Sequence, residues 1–299
     1  MGEKKKSGRS KRDRGRNGAF LLFTAPGFFL YSFFFIMPVI MGIYYSTTDW
    51  DGITKSYNFI GFDNYLKIFR TGQFTDALFF TIKYTVLLVV FTIVFGLGIA
   101  MLLNRKIKGR TFFRGIYFIP AVLSSLTVGL IFNKICYYII PVIGKFLHIQ
   151  AISQNPLADK NLAMWVILFV NLWQGLCIPT LLFLAGLQSV PTDLYDGAAL
   201  DGASAWDIFR YITVPFILPV VSVVFVLTLK GGLMVFDYIK AMTEGGPGNT
   251  TRSVAMLIYK HGFTQNKYAF AIAEAIFMGL VVAAISAVQI YFTDKKKAV

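Results

Sequence analysis

The chain has 299 residues, of which 56% are hydrophobic and 15% are charged, and its mean hydropathy is +0.62. Because soluble domains average about one-quarter charged residues, this composition excludes an ordinary soluble protein. The formal net charge of +14 is compatible with a nucleic-acid partner or an anionic membrane, so the position of the basic residues must decide between the two.

The chain begins with a basic tail, residues 1–18, whose charge run predicts disorder. A first apolar stretch follows at Phe20–Tyr45. It is longer than the roughly 7–15-residue apolar core of a cleaved signal peptide, and no small-x-small cleavage site follows it. We therefore expect this stretch to be a membrane span.

Six apolar stretches are long enough to cross a bilayer, since a spanning helix needs about 20 predominantly apolar residues. They predict an all-α integral membrane protein with six transmembrane helices. The stretches are Phe20–Tyr45, Ala77–Leu103, Gly115–Phe132, Leu162–Leu187, Pro215–Phe236 and Tyr268–Phe292, of which the third is near the minimum length.

The segments between these spans differ in character. The segment after the first span predicts turns and a short amphipathic helix around Asn64–Phe69. A tight basic turn follows the second span. Pro120 interrupts the third span, after which we expect an outer loop over Asn133–Asn161. The six spans are predicted to form one domain, residues 19–294, and a lysine tail at residues 295–299 closes the chain.

The basic residues cluster on one side of the predicted membrane. Eight lie in Lys4–Arg16, five in Arg105–Arg114 and three in Lys295–Lys297; with Arg210, this side holds 17 and the other side holds 10. An excess of Lys and Arg marks the cytoplasmic side, so both termini are predicted to be cytoplasmic. The charge is explained by topology and by attraction to anionic lipid, and we expect no nucleic-acid partner.

No catalytic or metal-binding grouping is evident in the sequence. Cys136 and Cys177 lack metal-site spacing, and His148 and His261 are isolated and fall outside the membrane core on this topology. The run GGPGNTT, Gly245–Thr251, lacks the G-x-x-x-x-G-K-[ST] spacing of a phosphate-binding loop and is predicted to be a surface turn. We therefore expect a chain that is not an enzyme and binds no cofactor or metal itself.

Polar and small residues interrupt two of the spans. Polar side chains inside a membrane usually face the bundle interior and often mark a pathway, so these residues are candidates for the path of a polar solute. The alternative is that they serve hydrogen bonding and close packing between helices. The candidates are Asn171, Trp173, Gln174 and Gly175 in span four, and Thr228, Gly231 and Gly232 in span five.

Lys83, Lys230 and Glu274 are the charged residues within the predicted spans, and two of them, Lys230 and Glu274, are candidates for a pair. Lys230 lies about 16 residues into span five, roughly 24 Å deep at helical rise, and Glu274 lies near the outer end of span six. We expect both at a similar depth in the outer leaflet, where they would pair or share a polar cavity. The alternative is that Lys230 extends its ammonium group to the outer headgroups.

The most unusual segment is YDGAALDGASAWDIFRYITVP, Tyr195–Pro215, which is acidic and rich in small residues. Thr192 is predicted to cap a short helix whose first turn holds Asp193 and Asp196. Asp201 and Gly202 are predicted to end this helix.

Ser204 and Asp207 have the spacing of a capping box, which predicts the start of a second helix leading into span five. A short helix with a carboxylate rim is suited to a groove in another protein. The alternative is a loop that lies on the membrane surface.

Residues 196–215 resemble the E-A-A-x3-G-x9-I-x-L-P signature of permease subunits in type I ATP-binding-cassette (ABC) importers. Asp196 stands at the Glu position, Gly197 and Ala198 at the two Ala positions, Gly202 at the Gly position, and Ile212, Val214 and Pro215 at the Ile, Leu and Pro positions. The segments AGLQSVPTDLYD, GFDNYLKIF and GGPGNTT are similar to the carbohydrate branch, the maltose, lactose and multiple-sugar permeases. The chain departs from the family by Asp at 196, by Gly at 197 and by lacking the large outer domain of the maltose-type permease.

The resemblance implies the MetI-like fold of these permeases and a function in carbohydrate import across the plasma membrane of a bacterium. It also implies a second, homologous permease subunit and two cytoplasmic ATPase subunits, which hold the ATP and Mg²⁺. A lipid-anchored sugar-binding protein would dock outside. Residues 189–215 would contain the coupling helix that fits into an ATPase, with Asp196, Gly197, Ala198, Asp201, Gly202, Ile212 and Pro215 as the coupling residues.

Two other classes of protein compete with this interpretation. A self-contained secondary transporter or channel for a polar solute would predict inverted repeats and ion-coupling carboxylates at the midplane, and the sequence has no convincing internal repeat. A membrane enzyme would need a catalytic grouping, which the sequence does not contain.

Overall fold

A computed structural model describes residues 22–105 and 110–297 of the chain. The predicted basic tail at residues 1–18, most of the basic turn after the second span and the last two residues lie outside the described residues. An isolated antiparallel bridge joins Thr48 to Phe59, and the regular structure is otherwise helical within the described ranges.

The helices follow one another with short connections. They are α1 (Leu22–Ser46), α2 (Asp63–Arg70), α3 (Gln73–Asn104), α4 (Arg110–Phe118), α5 (Ser125–Phe146), α6 (Ala163–Gly175), α7 (Cys177–Gln188), α8 (Thr192–Leu200), α9 (Ala205–Leu233), α10 (Asp237–Met242), α11 (Val254–Tyr259) and α12 (Tyr268–Lys297). Short 3-10 turns lie at Ile119–Val122, Gln150–Ile152 and Pro156–Ala158, and single π-helical turns lie at Ser32–Ile36, Ile135–Ile139, Phe209–Thr213 and Lys260–Thr264.

Five of these helices, α1, α3, α5, α9 and α12, are long and apolar enough to cross a membrane. The helices α6 and α7 pass the same test together, with a bend of 48° between them. Pro179 accounts for the bend, because its ring removes a hydrogen bond to Gly175 and clashes with that residue's carbonyl group. With the bent pair as one span, the described residues contain the six spans that the sequence predicts.

The predicted position of the third span is wrong. The sequence predicts it at Gly115–Phe132 and an outer loop over Asn133–Asn161, whereas the apolar helix of sufficient length is α5, Ser125–Phe146. The span begins later than expected because the 3-10 turn around Pro120 ends α4 instead of interrupting a continuous helix, and Leu123 is extended. A new helix then starts at Ser125 and continues through Lys134.

The chain divides into two compact units, Met1–Leu66 with His261–Ile276 and Lys67–Lys260 with Phe277–Val299. In the described part of the first unit, aromatic rings pack around the end of α1. Tyr45 stacks on Trp50 with 4.5 Å between ring centroids, and the Trp50 carbonyl accepts a hydrogen bond from the backbone N–H of Ala269 at 3.0 Å. Gly52 has a φ of +85°, and a Cβ atom there would collide with the Tyr268 ring.

Side-chain hydrogen bonds fix the segment that follows α1 in this unit. Asn64 is buried and donates to the carbonyls of Ser46 and Thr48 at 2.9 and 2.8 Å. The backbone N–H and the side-chain amide of Asn58 both donate to the Asp49 carboxylate. These two bonds hold the pKa of Asp49 below its ordinary value, the backbone bond contributing more.

In the second unit, α3 packs against α7 and α9, and α10 packs against α5. Small residues allow the helices to approach closely, as is usual between membrane helices. A Cβ atom on Gly186 would lie 2.9 Å from Val220, and one on Gly129 would lie 2.6 Å from Ala241. These contacts hold the bent pair and α10 against the longer spans.

The outer surface of the spans is apolar. In α1, no residue of the most apolar 18-residue stretch is buried, and Phe29 and Phe34 are 66% and 70% exposed. Exposed apolar surface on this scale is stable only against lipid or against other membrane subunits. The arrangement therefore agrees with an integral membrane protein.

Candidate functional site

The span α9 ends at a break that shapes the second unit. The helix stops at Leu233, and the chain restarts as α10 at Asp237. The Ser253 hydroxyl donates to the Val235 carbonyl at 2.7 Å, so a backbone acceptor freed by the break is satisfied from another segment. A break in a spanning helix is tolerated where it is buried in protein or lines a polar cavity.

A cavity of about 410 Å³ lies at this break. Spans α3, α5 and α9, the bent pair α6–α7 and the short helix α10 contribute to its wall, and it is partly open. Its lining combines apolar side chains with a few hydroxyl, amide and carboxylate groups. The lining residues are Leu88, Thr92, Ser125, Asn171, Gly175, Ile178, Pro179, Leu227, Thr228, Gly231, Met234, Val235, Phe236, Asp237 and Tyr238.

Four of the predicted path residues meet in this cavity. Asn171 and Gly175 come from span four, and Thr228 and Gly231 come from span five. The half-buried Asn171 side chain donates to the Tyr84 hydroxyl at 2.8 Å, which fixes its orientation. Gly175 lies at the bend between α6 and α7, where the missing side chain leaves room in the cavity wall.

The other three predicted path residues lie outside the cavity lining. Gln174 is buried; its amide nitrogen donates to the carbonyls of Pro120 and Leu123 at 3.2 and 2.7 Å, and its amide oxygen accepts from the Tyr238 hydroxyl at 2.7 Å. Gln174 therefore connects α6 to α10 and to the turn before α5. This is the packing role that the sequence predicts as the alternative to a role in the path.

Gly232 has a packing role of the same kind. A Cβ atom there would lie 2.8 Å from the Thr85 side chain and 3.0 Å from its Cα. Close packing between α3 and α9 thus depends on Gly232. Gly231, in contrast, faces open space, since a Cβ atom added there would meet no atom within 4 Å.

The third residue outside the lining is Trp173. It is 41% exposed, and the centroid of its ring lies 5.4 Å from that of Phe132.

Sequence reasoning missed four polar residues of the lining. They are Thr92, Ser125, Asp237 and Tyr238. Asp237 directly follows Phe236, the predicted end of span five, and the sequence therefore places it in a loop. The sequence does contain one sign of its role: the carboxylate of Asp237 follows the candidate path residues Gly231 and Gly232 by only five or six positions.

The acidic segment forms a second candidate site in the same unit. Helix α8 has no buried residue, and Leu200 at its end is 89% exposed. Asp193 lies in the first turn as predicted. Asp196 is exposed but lies beyond the first turn, because the helix begins at Thr192 itself with Pro191 at the cap position; the prediction of Thr192 as the cap and of Asp196 in the first turn was wrong.

The junction after α8 has the predicted local structure. Gly202 has a φ of +74°, a conformation that glycine adopts without a Cβ clash. The Ser204 hydroxyl accepts from the Asp207 backbone N–H at 3.2 Å, and the Asp207 carboxylate accepts from the Ser204 backbone N–H at 3.2 Å, which completes a capping box. The Tyr195 hydroxyl lies 3.3 Å from the Thr213 hydroxyl, so α8 is tied to the first turns of α9.

The remaining residues of the predicted signature surround this junction. Asp201 is the exposed C-cap of α8, and Gly197 is open on its outer side, since no atom lies within 4 Å of a Cβ position. Ala198 and Ile212 are partly buried, and Pro215 is exposed. The segment is therefore a short helix with an exposed outer face, followed directly by the start of α9.

Glu274 and Lys230, the predicted charge pair, belong to different units. In the first unit, Glu274 is fully buried and one of its carboxylate oxygens lies 2.8 Å from Nδ1 of His261. In the second unit, the Lys230 side chain is exposed. His261 was not predicted as a partner of Glu274, because the sequence places this histidine outside the membrane core. Pairing of Lys230 with Glu274 stays a prediction.

Comparison with known proteins gives consistent matches. The family described as "Binding-protein-dependent transport system inner membrane component" matches residues 92–297. The "Multiple sugar-binding transport system permease protein MsmF" of Streptococcus mutans is 42% identical over 262 residues, which are 88% of this chain and 90% of that protein. The "Probable starch degradation products transport system permease protein AmyD" of Thermoanaerobacterium thermosulfurigenes is 34% identical over 94% of this chain and 96% of its own length.

Solved structures with the same fold also include membrane transporters. A chain of a bacterial ABC transporter involved in the import of the acidic polysaccharide alginate matches with a TM-score of 0.82. The match covers 96% of this chain and 99% of that chain at 22% sequence identity. At this identity, the likeness extends to the fold alone.

Proposed function

Because the chain belongs to the family of binding-protein-dependent transport system inner membrane components, we propose that it is one permease subunit of an ATP-driven carbohydrate importer. The relatives named above are permeases for multiple sugars and for starch degradation products, and their names supply the substrate class. The chain is the membrane part of such a system. Hydrolysis of ATP belongs to separate ATPase chains, which carry the nucleotide and Mg²⁺.

The observation that carries the proposal is the cavity at the break between α9 and α10. Carbohydrates offer many hydroxyl groups and some apolar ring faces, and this lining has the same mixture, with amide and hydroxyl groups of Asn171, Thr228 and Ser125 among apolar side chains. Its volume of about 410 Å³ is in the range of roughly 300–1,000 Å³ that is usual for small-molecule sites. The cavity is one wall of the path, and the second permease supplies the other.

The exposed helix α8 is the element that receives the movement of an ATPase. It presents Asp193, Asp196 and Leu200 on a surface that no residue of this chain covers in the described structure. A carboxylate and an apolar residue on one short helix fit a groove with a basic residue and an apolar floor. Because the turn between α8 and α9 is short and the Tyr195 hydroxyl bonds to that of Thr213, displacement of α8 moves span five and the wall of the cavity with it.

The assembly contains a second permease, two ATPases and an extracytoplasmic sugar-binding protein. The exposed apolar surface of the spans supports a membrane partner in addition to lipid. The family description itself names dependence on a binding protein. On the predicted topology, α8 faces the cytoplasm and the cavity opens toward the path between the two permeases.

Uptake by the purified assembly tests this function against a secondary transporter. Proteoliposomes containing this chain with its candidate permease, ATPase and binding-protein partners would be assayed with radiolabelled maltotriose and raffinose. An importer accumulates sugar only with ATP on the ATPase side and with the binding protein present. Accumulation driven by a proton or sodium gradient, without the ATPases, would contradict the proposal and favour the alternative class.

Substitutions in the cavity test its role as the path. Asn171→Ala and Thr228→Val remove hydrogen-bonding groups from the lining, and we expect each to lower kcat/KM for uptake by about tenfold, as loss of one or two hydrogen bonds implies. Ser222→Ala is the matched control, since Ser222 lies on the same helix outside the cavity lining and its hydroxyl donates to the carbonyl of Leu218. Equal uptake by all variants would exclude this cavity as the path.

A further inference from the structure

We propose that Asp237 sets the charge selectivity of the cavity. Its carboxylate accepts hydrogen bonds from the hydroxyl groups of a neutral saccharide and disfavours saccharides that carry carboxylates, such as uronates. This inference rests on the proposed function of the cavity as the saccharide path. It names the chemical class of the substrate as neutral and assigns one residue to that choice.

Asp237 differs from every other residue that lines the cavity. Among the described lining residues it alone carries a formal charge, because the other polar groups are hydroxyls and an amide. Asp237 is exposed as well as lining the cavity. Its carboxylate forms no hydrogen bond or ion pair with any other residue in the described part of the chain, so its acceptor sites are available to a ligand.

The backbone around Asp237 is held by contacts on both sides. The adjacent Tyr238 is buried and its hydroxyl donates to Gln174 at 2.7 Å. Before it, the Val235 carbonyl accepts from Ser253 at 2.7 Å. At the far end of α10, the Met242 carbonyl accepts from the Asn133 side chain at 2.7 Å.

Close packing between α5 and α10 also holds this backbone in place, since a Cβ atom on Gly129 would lie 2.6 Å from Ala241 and 3.7 Å from the Cα atom of Tyr238. The start of α10 therefore cannot shift without breaking contacts with α5 and α6. The backbone of Asp237 is thus held in the wall, so its carboxylate stays within one side-chain length of the cavity. A charge kept this close to a ligand discriminates between ligands by attraction and repulsion.

The chemistry of the groups sets the direction of the selectivity. An ionised carboxylate is an acceptor only, with about four lone-pair sites, whereas sugar hydroxyls can donate. Hydrogen bonds to a charged acceptor are stronger than those between neutral groups. A second carboxylate on the ligand would face Asp237 in a cavity with mostly apolar walls, where repulsion between like charges is larger than in water.

Direct binding to the complete transporter separates this chain from the selectivity of the binding protein. The purified assembly of both permeases and the ATPases, without the binding protein, would be held with a non-hydrolysable ATP analogue. Equilibrium dialysis would measure retention of radiolabelled maltotriose and trigalacturonate, which have the same number of rings. The variants are Asp237→Asn, Asp237→Glu and the control Asp76→Asn, which removes an exposed carboxylate at the start of α3 outside the cavity.

We expect the wild type to retain maltotriose and exclude trigalacturonate. Asp237→Asn should raise retention of trigalacturonate by about tenfold, the effect of removing one nearby like charge, while Asp237→Glu and Asp76→Asn should leave it low. Equal exclusion by Asp237→Asn, or retention of trigalacturonate by the wild type, would overturn the inference alone. Retention of neither saccharide by the wild type would overturn the cavity as the saccharide path and the inference with it.

Discussion

The exposed helix α8 and the cavity at the α9–α10 break belong to the same unit, and different kinds of interaction hold them in place. The bonds that shape the α8 junction join residues close in sequence, such as Ser204 with Asp207. The bonds that shape the cavity join distant residues, such as Gln174 with Tyr238, which are 64 positions apart. The first element is a locally encoded attachment point, whereas the second exists only when four spans are packed.

This difference predicts separate consequences for function and for stability. Changes on α8 should alter the association with a partner and leave the permease folded, because no residue of α8 is buried. Changes in the frame of the cavity should destabilise the permease itself. The two sides of this contrast can be tested separately.

The largest effect is expected at Asp196. Removal of one partner of a buried interface pair typically costs about 2–5 kcal/mol, and because Asp is one methylene shorter than the usual Glu we expect the lower half of this range for Asp196→Ala. Asp196→Lys should cost more, since repulsion adds to the loss. The permease should still insert and pair with its partner, but less ATPase should co-purify and uptake should fall.

The measurement is ATPase recovery and sugar uptake at equal membrane expression. Asp76→Lys is the control, because it reverses an exposed carboxylate in the first turn of α3, far along the chain from α8. If wild type, Asp196→Ala and Asp196→Lys recover the ATPase equally and transport equally, Asp196 does not couple the permease to the ATPase.

Substitutions at two neighbouring glycines test the packing of α9 against α3 beside the cavity. Gly232→Ala places a Cβ atom 2.8 Å from the Thr85 side chain and 3.0 Å from its Cα, and overpacking of this kind costs about 1–3 kcal/mol. Gly231→Ala adds the same methyl group in open space, so its effect on stability should be within about 0.5 kcal/mol. Thermal unfolding of the purified permease in detergent compares the two; equal melting temperatures would show that α3 and α9 are not closely packed at this point.

The next largest loss of stability is expected when the long-range hydrogen bond between Gln174 and Tyr238 is removed. Gln174→Leu leaves the Tyr238 hydroxyl and the carbonyls of Pro120 and Leu123 without this partner, and an unsatisfied buried polar group costs about 1–3 kcal/mol. Tyr238→Phe should cost about 0.5–1.5 kcal/mol. A double-mutant cycle on unfolding should give a coupling energy of at least about 0.5 kcal/mol, whereas additive effects would mean that the bond does not contribute.

The same contrast explains how much the sequence could predict. The end of α8 at Gly202 and the capping box at Ser204 follow from local spacing, and both are confirmed. Five of the spans follow from hydropathy alone. The third span was misplaced because the 3-10 turn at Ile119–Val122 and the helix after it depend on tertiary packing around Gln174, which donates to two carbonyls of that turn region.

The candidate path shows the same limit. Asn171, Gly175, Thr228 and Gly231 could be chosen as polar or small residues within spans, and the structure brings them together in one cavity. Nothing in the local pattern separates Gly231, which lines the cavity, from Gly232, which packs against Thr85. Which of the two glycines faces the cavity depends on how α9 is rotated about its axis, and hydropathy does not specify this rotation.

The smallest effects on global stability are expected at the two glycines of the α8 segment, where the local effects should have opposite signs. Gly202→Ala forces a side chain into a left-handed conformation, which costs about 1–2 kcal/mol, because Gly202 has a φ of +74°. Gly197 lies inside α8 with no atom within 4 Å of a Cβ position. Gly197→Ala should therefore stabilise the helix by about 0.5–1 kcal/mol, through reduced freedom of the unfolded chain.

Hydrogen exchange of the α8 amides, residues 192–200, resolves changes of this size. We expect exchange about 5–30-fold faster for Gly202→Ala and about 2–5-fold slower for Gly197→Ala, as the free energies above imply for exchange by local opening. The global melting temperature should be unchanged in both variants, because α8 buries no residue. If both substitutions accelerate exchange alike, α8 is held by contacts with the rest of the unit, and its description as a locally encoded element is wrong.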